Sequence, residues 1–463
     1  MKKYTNNVNR IAFCSPAVKS LFLSVVTGVM AFAFWFVRQS LSKIDDMLGD
    51  IGEVINKVIN YGFNITVVLA LTLFIVGIIL IFNTPTAYRI KLAVRKRMFS
   101  PEYDNPLHFK EGCLLPRVTC SEKFRQFSLR IWATSTNVAD LESISNVISS
   151  SINKGRMKKY AVTRMKTDEA MNYVTYYIED VKENRKLIFK SSEEMKQRNL
   201  TKLVIQKGSV IDISTVGSCL FSGRTRSGKS YGVTSFLIQL LLYGRDKYGS
   251  EIILIDPKTE AFQGVPRTIL PDEDGSMDKV IDIMKDFDDL RRRRQIIINN
   301  KSNETGDEVK WYDMEMHPCY LVFDEFISLR TTNITQRATK EDPEHCLAVF
   351  DSLLKTIVTM GASAGCFVII SIAQASVGEG GLPSLISEAM GTKIIFKPSK
   401  EEAKFLWKNE NMDTLVMRDF EQGDAWFSSK DGEHDFPSFV RFPKMDFKVK
   451  EELSRLMEAY YTE

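Results

Sequence analysis

The stretch Phe221-Ser-Gly-Arg-Thr-Arg-Ser-Gly-Lys-Ser230 constrains the fold of this chain more than any other. Gly223, Gly228, Lys229 and Ser230 complete the spacing G-x-x-x-x-G-K-S, the signature of a phosphate-binding loop. Two glycines let such a loop wind tightly, so that successive backbone N–H groups point inward at phosphate oxygens. The lysine reaches the outer phosphates and the serine hydroxyl ligates magnesium. The motif works only between a strand and a helix, and both are legible. Val216 to Phe221 is an apolar run of strand length. Val233, Phe236, Leu237, Leu240 and Leu241 then recur at helical spacing. The positive end of that helix adds to the anion site. Gly223, Arg224, Thr225, Arg226, Ser227, Gly228, Lys229, Ser230 and Tyr231 are therefore the candidate nucleotide contacts, with ATP and Mg2+ as the expected ligands.

Further strands follow the loop. Glu251-Ile-Ile-Leu-Ile-Asp256 is apolar, ends in an aspartate and is stopped by Pro257. Val280, Ile281, Met284, Phe287 and Leu290 mark one face of a helix that ends in Arg291-Arg-Arg-Arg294. Those arginines either contact nucleic acid or complement the helix's carbonyl end and pair with Asp286, Asp288 and Asp289. Tyr320-Leu-Val-Phe-Asp324-Glu325 is an apolar strand ending in two carboxylates, a Walker B pattern. Asp324 is the second metal candidate beside Ser230. Glu325 is placed to orient and deprotonate an attacking water, which argues for hydrolysis. Cys366 to Ala373 is another strand, followed by Gln374, either a sensor of the terminal phosphate or the opening of a loop. Thr392-Lys-Ile-Ile-Phe396 is a fifth strand. Strands alternating with helices predict an α/β fold with a parallel sheet and ligands at the strands' carboxyl ends. Lys229, Glu325 and Gln374 are the catalytic candidates.

Near the start stand two uncharged apolar stretches, residues 20–37 and 63–82, each about long enough to cross a bilayer. Lys2, Lys3, Arg10 and Lys19 precede the first, and Arg89, Lys91, Arg95, Lys96 and Arg97 follow the second. The segment between them holds Asp45, Asp46, Asp50 and Glu53. The first stretch reads either as a signal peptide, with Ala31-Phe-Ala33 resembling a cleavage site, or as a span, and the apolar run continuing through Val37 favours the span. The bias predicts a cell-membrane protein with two spans and both termini cytoplasmic. Loose alternation between residues 99 and 205 reads as a small α/β domain. The expected division is thus a membrane anchor at 1–98, a membrane-proximal domain at 99–205 and a RecA-like motor at 206–463. A formal charge of +4 argues for no partner by itself. The seven cysteines form no C-x-x-C pair and the four histidines are scattered, so no zinc site is legible.

Taken together, Ser222 to Ser230, Ile255-Asp-Pro-Lys258, Leu321-Val-Phe-Asp-Glu325, Ala373-Gln374, Thr392-Lys-Ile-Ile-Phe396 and Gln422-Gly-Asp-Ala-Trp-Phe427 resemble the FtsK/SpoIIIE DNA-translocase family. The likeness covers roughly residues 206 to 445. It implies a RecA-like homo-hexamer, an ATP-driven pump for double-stranded DNA. The chain departs from that family's pattern at Lys393, where arginine is usual, and at Glu421, which replaces a glycine. Two spans, no long linker and an early end after the last motor strand resemble the TcpA-like coupling proteins of conjugative elements. That resemblance implies a relaxase and a type IV secretion channel as partners. A chromosome or phage-type pump is an alternative, as is a membrane scaffold switched by nucleotide with little turnover; Glu325 speaks against the scaffold. The polar stretch Arg330 to Lys340 reads either as a DNA-contacting pore loop or as a solvated loop.

Overall fold

The computed structural model describes residues 16–41, 45–98, 107, 116–123, 126–134, 136–153, 155–214, 216–258, 261–271, 277–330, 343–373, 382–407, 420–432 and 434–462. Gln374 and the stretch 331–340 lie outside the described residues. The chain packs as two units, the first running to Glu183 and the second beginning at Asn184.

The first unit opens with α1 (Pro16–Leu41) and α2 (Asp45–Asn83), which pack against each other. Both are long and apolar enough to cross a membrane: Ala17–Ser40 has a mean hydropathy of 2.1 and Gly52–Asn83 one of 3.1. Val25, Phe32, Val58, Ile65 and Phe82 stand exposed, a surface that suits hydrocarbon rather than water. Small residues and hydroxyls hold the pair, as between helices in lipid. The Ser20 and Ser24 hydroxyls donate to the carbonyls of Leu73 and Ala70 at 2.6 and 2.9 Å. Gly77 faces Leu21 so closely that an added Cβ would lie 2.8 Å from its side chain.

A short helix, α3 (Thr86–Arg97), follows. It carries Arg89, Lys91, Arg95, Lys96 and Arg97, while Ile90 and Val94 are fully buried. Next come β1 (Val118–Lys123), β2 (Gln126–Trp132), helices α4 (Val138–Ser143) and α5 (Ser145–Ile152), β3 (Tyr160–Thr167) and β4 (Tyr173–Asp180). The four strands form an antiparallel sheet in the order β1-β2-β4-β3. Alternation puts Phe127, Leu129, Ile131, Val174, Tyr176 and Ile178 on one face, where they join Ile90, Val94, Leu141, Ile148 and Ile152 in one core. By packing, α3 therefore belongs with the sheet, although the sequence reading set it in the membrane anchor.

The second unit begins with β5 (Ile188–Phe189) and the antiparallel hairpin β6 (Lys202–Gln206) and β7 (Ser209–Asp212). The boundary expected at 205/206 cuts this hairpin. Leu203, Ile205, Ile211 and Ile213 are buried in the same cluster as Phe221 and Phe236, so residues 184–205 pack with the motor. Among the described residues its main sheet has eight strands. They are β8 (Cys219–Gly223), β9 (Ile252–Ile255), β10 (Thr268–Ile269), β11 (Cys319–Phe323), β12 (Cys366–Ile372), β13 (Thr392–Phe396), β14 (Asp424–Ser429) and β15 (His434–Arg441). A two-residue strand, β16 (Lys444–Met445), pairs with β5. The order is β10-β9-β11-β12-β8-β13-β14-β15, parallel from β10 to β13 and antiparallel over β14 and β15. The fold is α/β as expected, but the sheet is mixed. Its edge hairpin was legible only as the segment Gln422 to Phe427. Strands β8, β11 and β12 are buried along their whole length, which is why they read as unbroken apolar runs.

The arginine run of helix Met277–Thr305 divides by face. Arg294 is 1% exposed; it donates to the carbonyls of Ala364 and His317 at 2.8 Å each and lies 3.4 Å from Asp246. Arg291 is also buried and pairs with Asp288 at 2.7 Å. Two of the four are thus structural, and only Arg292 and Arg293 stand exposed.

Candidate active site

Strand β8 delivers the loop and helix α6 (Lys229–Leu241) receives it. Between them the backbone is tight: the Ser227 amide donates to the Arg224 carbonyl at 3.0 Å, and Arg226 is left-handed at φ +64°. Gly228 has φ +107°, and a Cβ there would lie 2.8 Å from the Gly423 nitrogen. The reason is that β14 starts against the loop, with the Gly423 amide donating to the Ser227 carbonyl at 3.0 Å. At Gly223 a Cβ would lie 2.6 Å from Ser227 Oγ. The first-turn amides of α6 have no acceptor within the helix and are free to face an anion.

Lys229 is buried, while Ser230 and the side chains of Arg224, Thr225 and Arg226 are exposed. The Ser227 hydroxyl is buried without a partner among the described residues. Tyr231 is half-buried and its hydroxyl donates to the Met445 carbonyl at 3.0 Å. What Tyr231 has left for a nucleotide is its backbone amide.

Sheet order brings the carboxylates to this loop. Strand β12 lies between β8 and β11, and its Ser371 hydroxyl donates to Asp324 Oδ1 at 2.6 Å. Lys229 Nζ lies 2.7 Å from Glu325 Oε1 and 3.9 Å from Asp324 Oδ1. From the end of β9, Lys258 Nζ lies 3.4 Å from Glu325 Oε2. Asp256 shapes that turn: its carboxylate accepts the amides of Lys258 at 3.2 Å and Phe262 at 2.9 Å. Glu325 has φ +48°, a left-handed backbone uncommon outside glycine and found where neighbours hold it.

The two carboxyls are pushed apart. Burial raises Asp324 above the usual carboxylate range, and the Lys229 charge and the Ser371 hydrogen bond only partly oppose it. Burial also raises Glu325, but the hydrogen bond and charge of Lys229, with Lys258, outweigh it and leave the group below its ordinary value.

Among the described residues no group of three or more His, Cys, Asp or Glu could hold a metal. Ser230 and Asp324 fit magnesium, which takes one or two protein oxygens and fills its sphere with phosphate and water. A cavity of about 850 Å³ between residues 245–251 and helix Met277–Thr305 shares no lining residue with this site. Lys393, the departure on β13, donates to the Leu406 carbonyl at 2.9 Å.

The structure brings Lys229, Asp324 and Glu325 together, while Gln374 lies outside the described residues. Sequence reasoning missed two contributors. Ser371 is a single hydroxyl in an apolar strand, and Lys258 was legible only as part of a D-P-K strand end.

Strand order, loop and carboxylates define a P-loop NTPase of α/β, RecA-like architecture. No family model matches the sequence, and no curated protein matches it. Among solved structures the chain is similar to the pCW3 conjugation coupling protein TcpA, in its monomer form with ATPγS. That likeness has 12% identity and a TM-score of 0.46, over 80% of this chain and 98% of that one. It is similar to ATPases 2 and 3 of EssC from Geobacillus thermodenitrificans at 15% identity and a TM-score of 0.40, over 60% of this chain and 52% of that one. It is also similar to the genome packaging NTPase B204 from Sulfolobus turreted icosahedral virus 2, at 14% identity and a TM-score of 0.30. There the match covers 50% of this chain and 98% of that one.

Proposed function

We propose that the chain is a membrane-anchored ATPase that moves double-stranded DNA. It works as a homo-hexamer and as the coupling protein of a conjugative element, passing DNA from a relaxase to a type IV secretion channel. The observation that carries the hydrolytic part is Glu325 held beside Lys229 and Asp324 at the loop that follows β8. The DNA client and the hexamer rest on the resemblance of the motifs from Ser222 to Phe427.

Bound Mg-ATP supplies the electrophilic terminal phosphate and the metal charge that neutralises it. The chain supplies the rest. Ser371 fixes Asp324 through one oxygen, which orients the carboxylate for a metal shared with Ser230. Lys229 serves the outer phosphates only by turning away from Glu325. That movement frees Oε1 to accept a proton from water, while Lys258 steadies Oε2. Loading the site and arming the base are then one event. Helices α1 and α2 cross the cell membrane as a hairpin, with both termini in the cytoplasm, where ATP is.

The test uses full-length protein in lipid nanodiscs, with ATPase measured with and without duplex DNA. The expected result is stimulation by duplex, with Lys229→Ala abolishing both basal and stimulated turnover. Hydrolysis that duplex DNA leaves unchanged would overturn the DNA assignment and keep the ATPase.

A further inference from the structure

The four-stranded sheet of the first unit has two faces, and α3, α4 and α5 all pack on one of them. The other face follows from the register. Arg130 on β2 stands opposite Thr119 on β1 and Thr175 on β4, and Lys166 on β3 stands beyond Thr175. In the row on one side lie Arg117, Trp132 and Tyr173; in the row on the other lie Ser128, Tyr177 and Arg164. Arg117, Arg130 and Lys166 are exposed. The rings are not open platforms. The Arg117 guanidinium sits 4.8 Å from the centre of Trp132, Arg130 5.4 Å from Tyr173, and Arg164 3.8 Å from Tyr177. Trp132 and Tyr173 pack on each other at 5.2 Å. Two carboxylates of this face are engaged: Glu179 accepts from Gln126 at 2.6 Å, and Asp168, across from Tyr173, accepts from the Asn172 side-chain amide at 3.1 Å.

Stacking on a ring holds a guanidinium flat and limits its rotamers, so less entropy is lost when it meets a phosphate. A row of such groups among serines and threonines is a surface for regularly spaced phosphates. We propose that this face binds the sugar-phosphate backbone of duplex DNA, as a second grip outside the ATPase site. The inference rests on DNA being the client proposed above. Single strands are disfavoured because the rings, already capped by arginine, offer no bare faces for bases to stack on. A lipid surface is disfavoured because, among the described residues, no aliphatic side chain larger than Ala161 projects from this face to enter the acyl boundary. A flat sheet face reads phosphates and not base edges, which suits a protein that must hold any sequence.

The experiment measures binding of a fluorescent random-sequence duplex of about 30 base pairs to full-length protein in phosphatidylcholine nanodiscs, across a salt series. The triple variant Arg117→Gln, Arg130→Gln, Lys166→Gln should lower the log–log salt slope by about 0.9 per lost phosphate contact, about 2.7 in all. Arg130→Lys keeps the charge and should keep most of the slope. Basal ATPase without DNA should be unchanged in every variant, which also reports that they fold. If wild-type protein fails to bind duplex, the proposed client is wrong and this face loses its occupant. If wild type binds and the triple variant gives the same slope, the face alone is overturned. Loss of binding to phosphatidylserine vesicles with an unchanged DNA slope would make it a lipid surface and would equally overturn the proposal.

Discussion

Glu325 carries opposite demands. Its oxygens face Lys229 at 2.7 Å and Lys258 at 3.4 Å, and its backbone is left-handed. A carboxylate in that setting is a held anion, and it becomes a base only when one cation leaves. Removing the negative charge while keeping the shape separates the two roles. Glu325→Gln should bind ATP, because Lys229 and Ser230 are intact, and should hydrolyse it at least ~10²-fold more slowly, the low end of general-base effects. Nucleotide titration and steady-state turnover measure the two separately. Normal turnover would mean that the base is another residue. A charged group tethered on both oxygens is also why the hydroxyl of Ser371 matters next door. It satisfies Asp324 without adding a second cation to the site proposed above for magnesium.

At the scale of elements, the phosphate loop is held by a strand some two hundred residues downstream. The start of β14 lies against Gly228, where a Cβ would fall 2.8 Å from a backbone nitrogen. Gly228→Ala therefore meets backbone, not a side chain that can swing aside, and does so at φ +107°. The expected outcome is loss of ATP binding, checked by titration, with the far-ultraviolet circular dichroism of the sheet retained. A second element prediction concerns helix Met277–Thr305. Arg294→Ala removes the cation that faces buried Asp246 and the donor to the Ala364 and His317 carbonyls. Breaking a buried pair costs about 3–5 kcal/mol, so the thermal midpoint of the motor should fall by roughly 10 °C. Arg292 is exposed on the same helix, and Arg292→Ala should change stability by no more than about 0.5 kcal/mol. Equal effects from both substitutions, measured by thermal melting, would remove the structural role given to Arg294.

On the scale of the whole molecule, the first unit joins a hairpin of two helices, each long and apolar enough to cross a membrane, to a small sheet, and the second holds the phosphate loop. The hairpin is more extensive than its apolar runs: α2 begins at Asp45, well before the apolar stretch expected at 63–82. The proposed topology rests on the basic flanks. A reporter inserted at Lys43 should read as external, and one fused after Glu463 as cytoplasmic. A cytoplasmic signal from both would show that α1 and α2 do not cross. Because α3 is built into the sheet core through Ile90 and Val94, cutting the chain at residue 98 should expose that core. A fragment starting at residue 99 should be less stable to heat than one starting at Thr86, and equal melting would contradict the assignment of α3 to the sheet.

The sequence alone determined the elements of the site. Gly223 to Ser230 and Asp324-Glu325 are contiguous, and their strands, buried on both faces, appear as apolar runs that need no partner to be recognised. The two apolar helices were legible for the same reason, since a long apolar run follows composition and not pairing. What tertiary structure decided is everything that depends on which strand lies beside which. Lys229 meets Glu325 across 96 residues and Ser371 meets Asp324 across 47. Gly423 closes on Ser227, and Arg294 bridges Asp246 to Ala364. Lone residues such as these carry no local period, so nothing near them in the chain marks their role. The boundary between the units belongs with them. Residues 184–205 have ordinary strand and turn composition, and only their burial beside Phe221 and Phe236 assigns them to the motor. Local pattern encodes which face of an element is apolar; the order of strands in the sheet decides which side chains then converge.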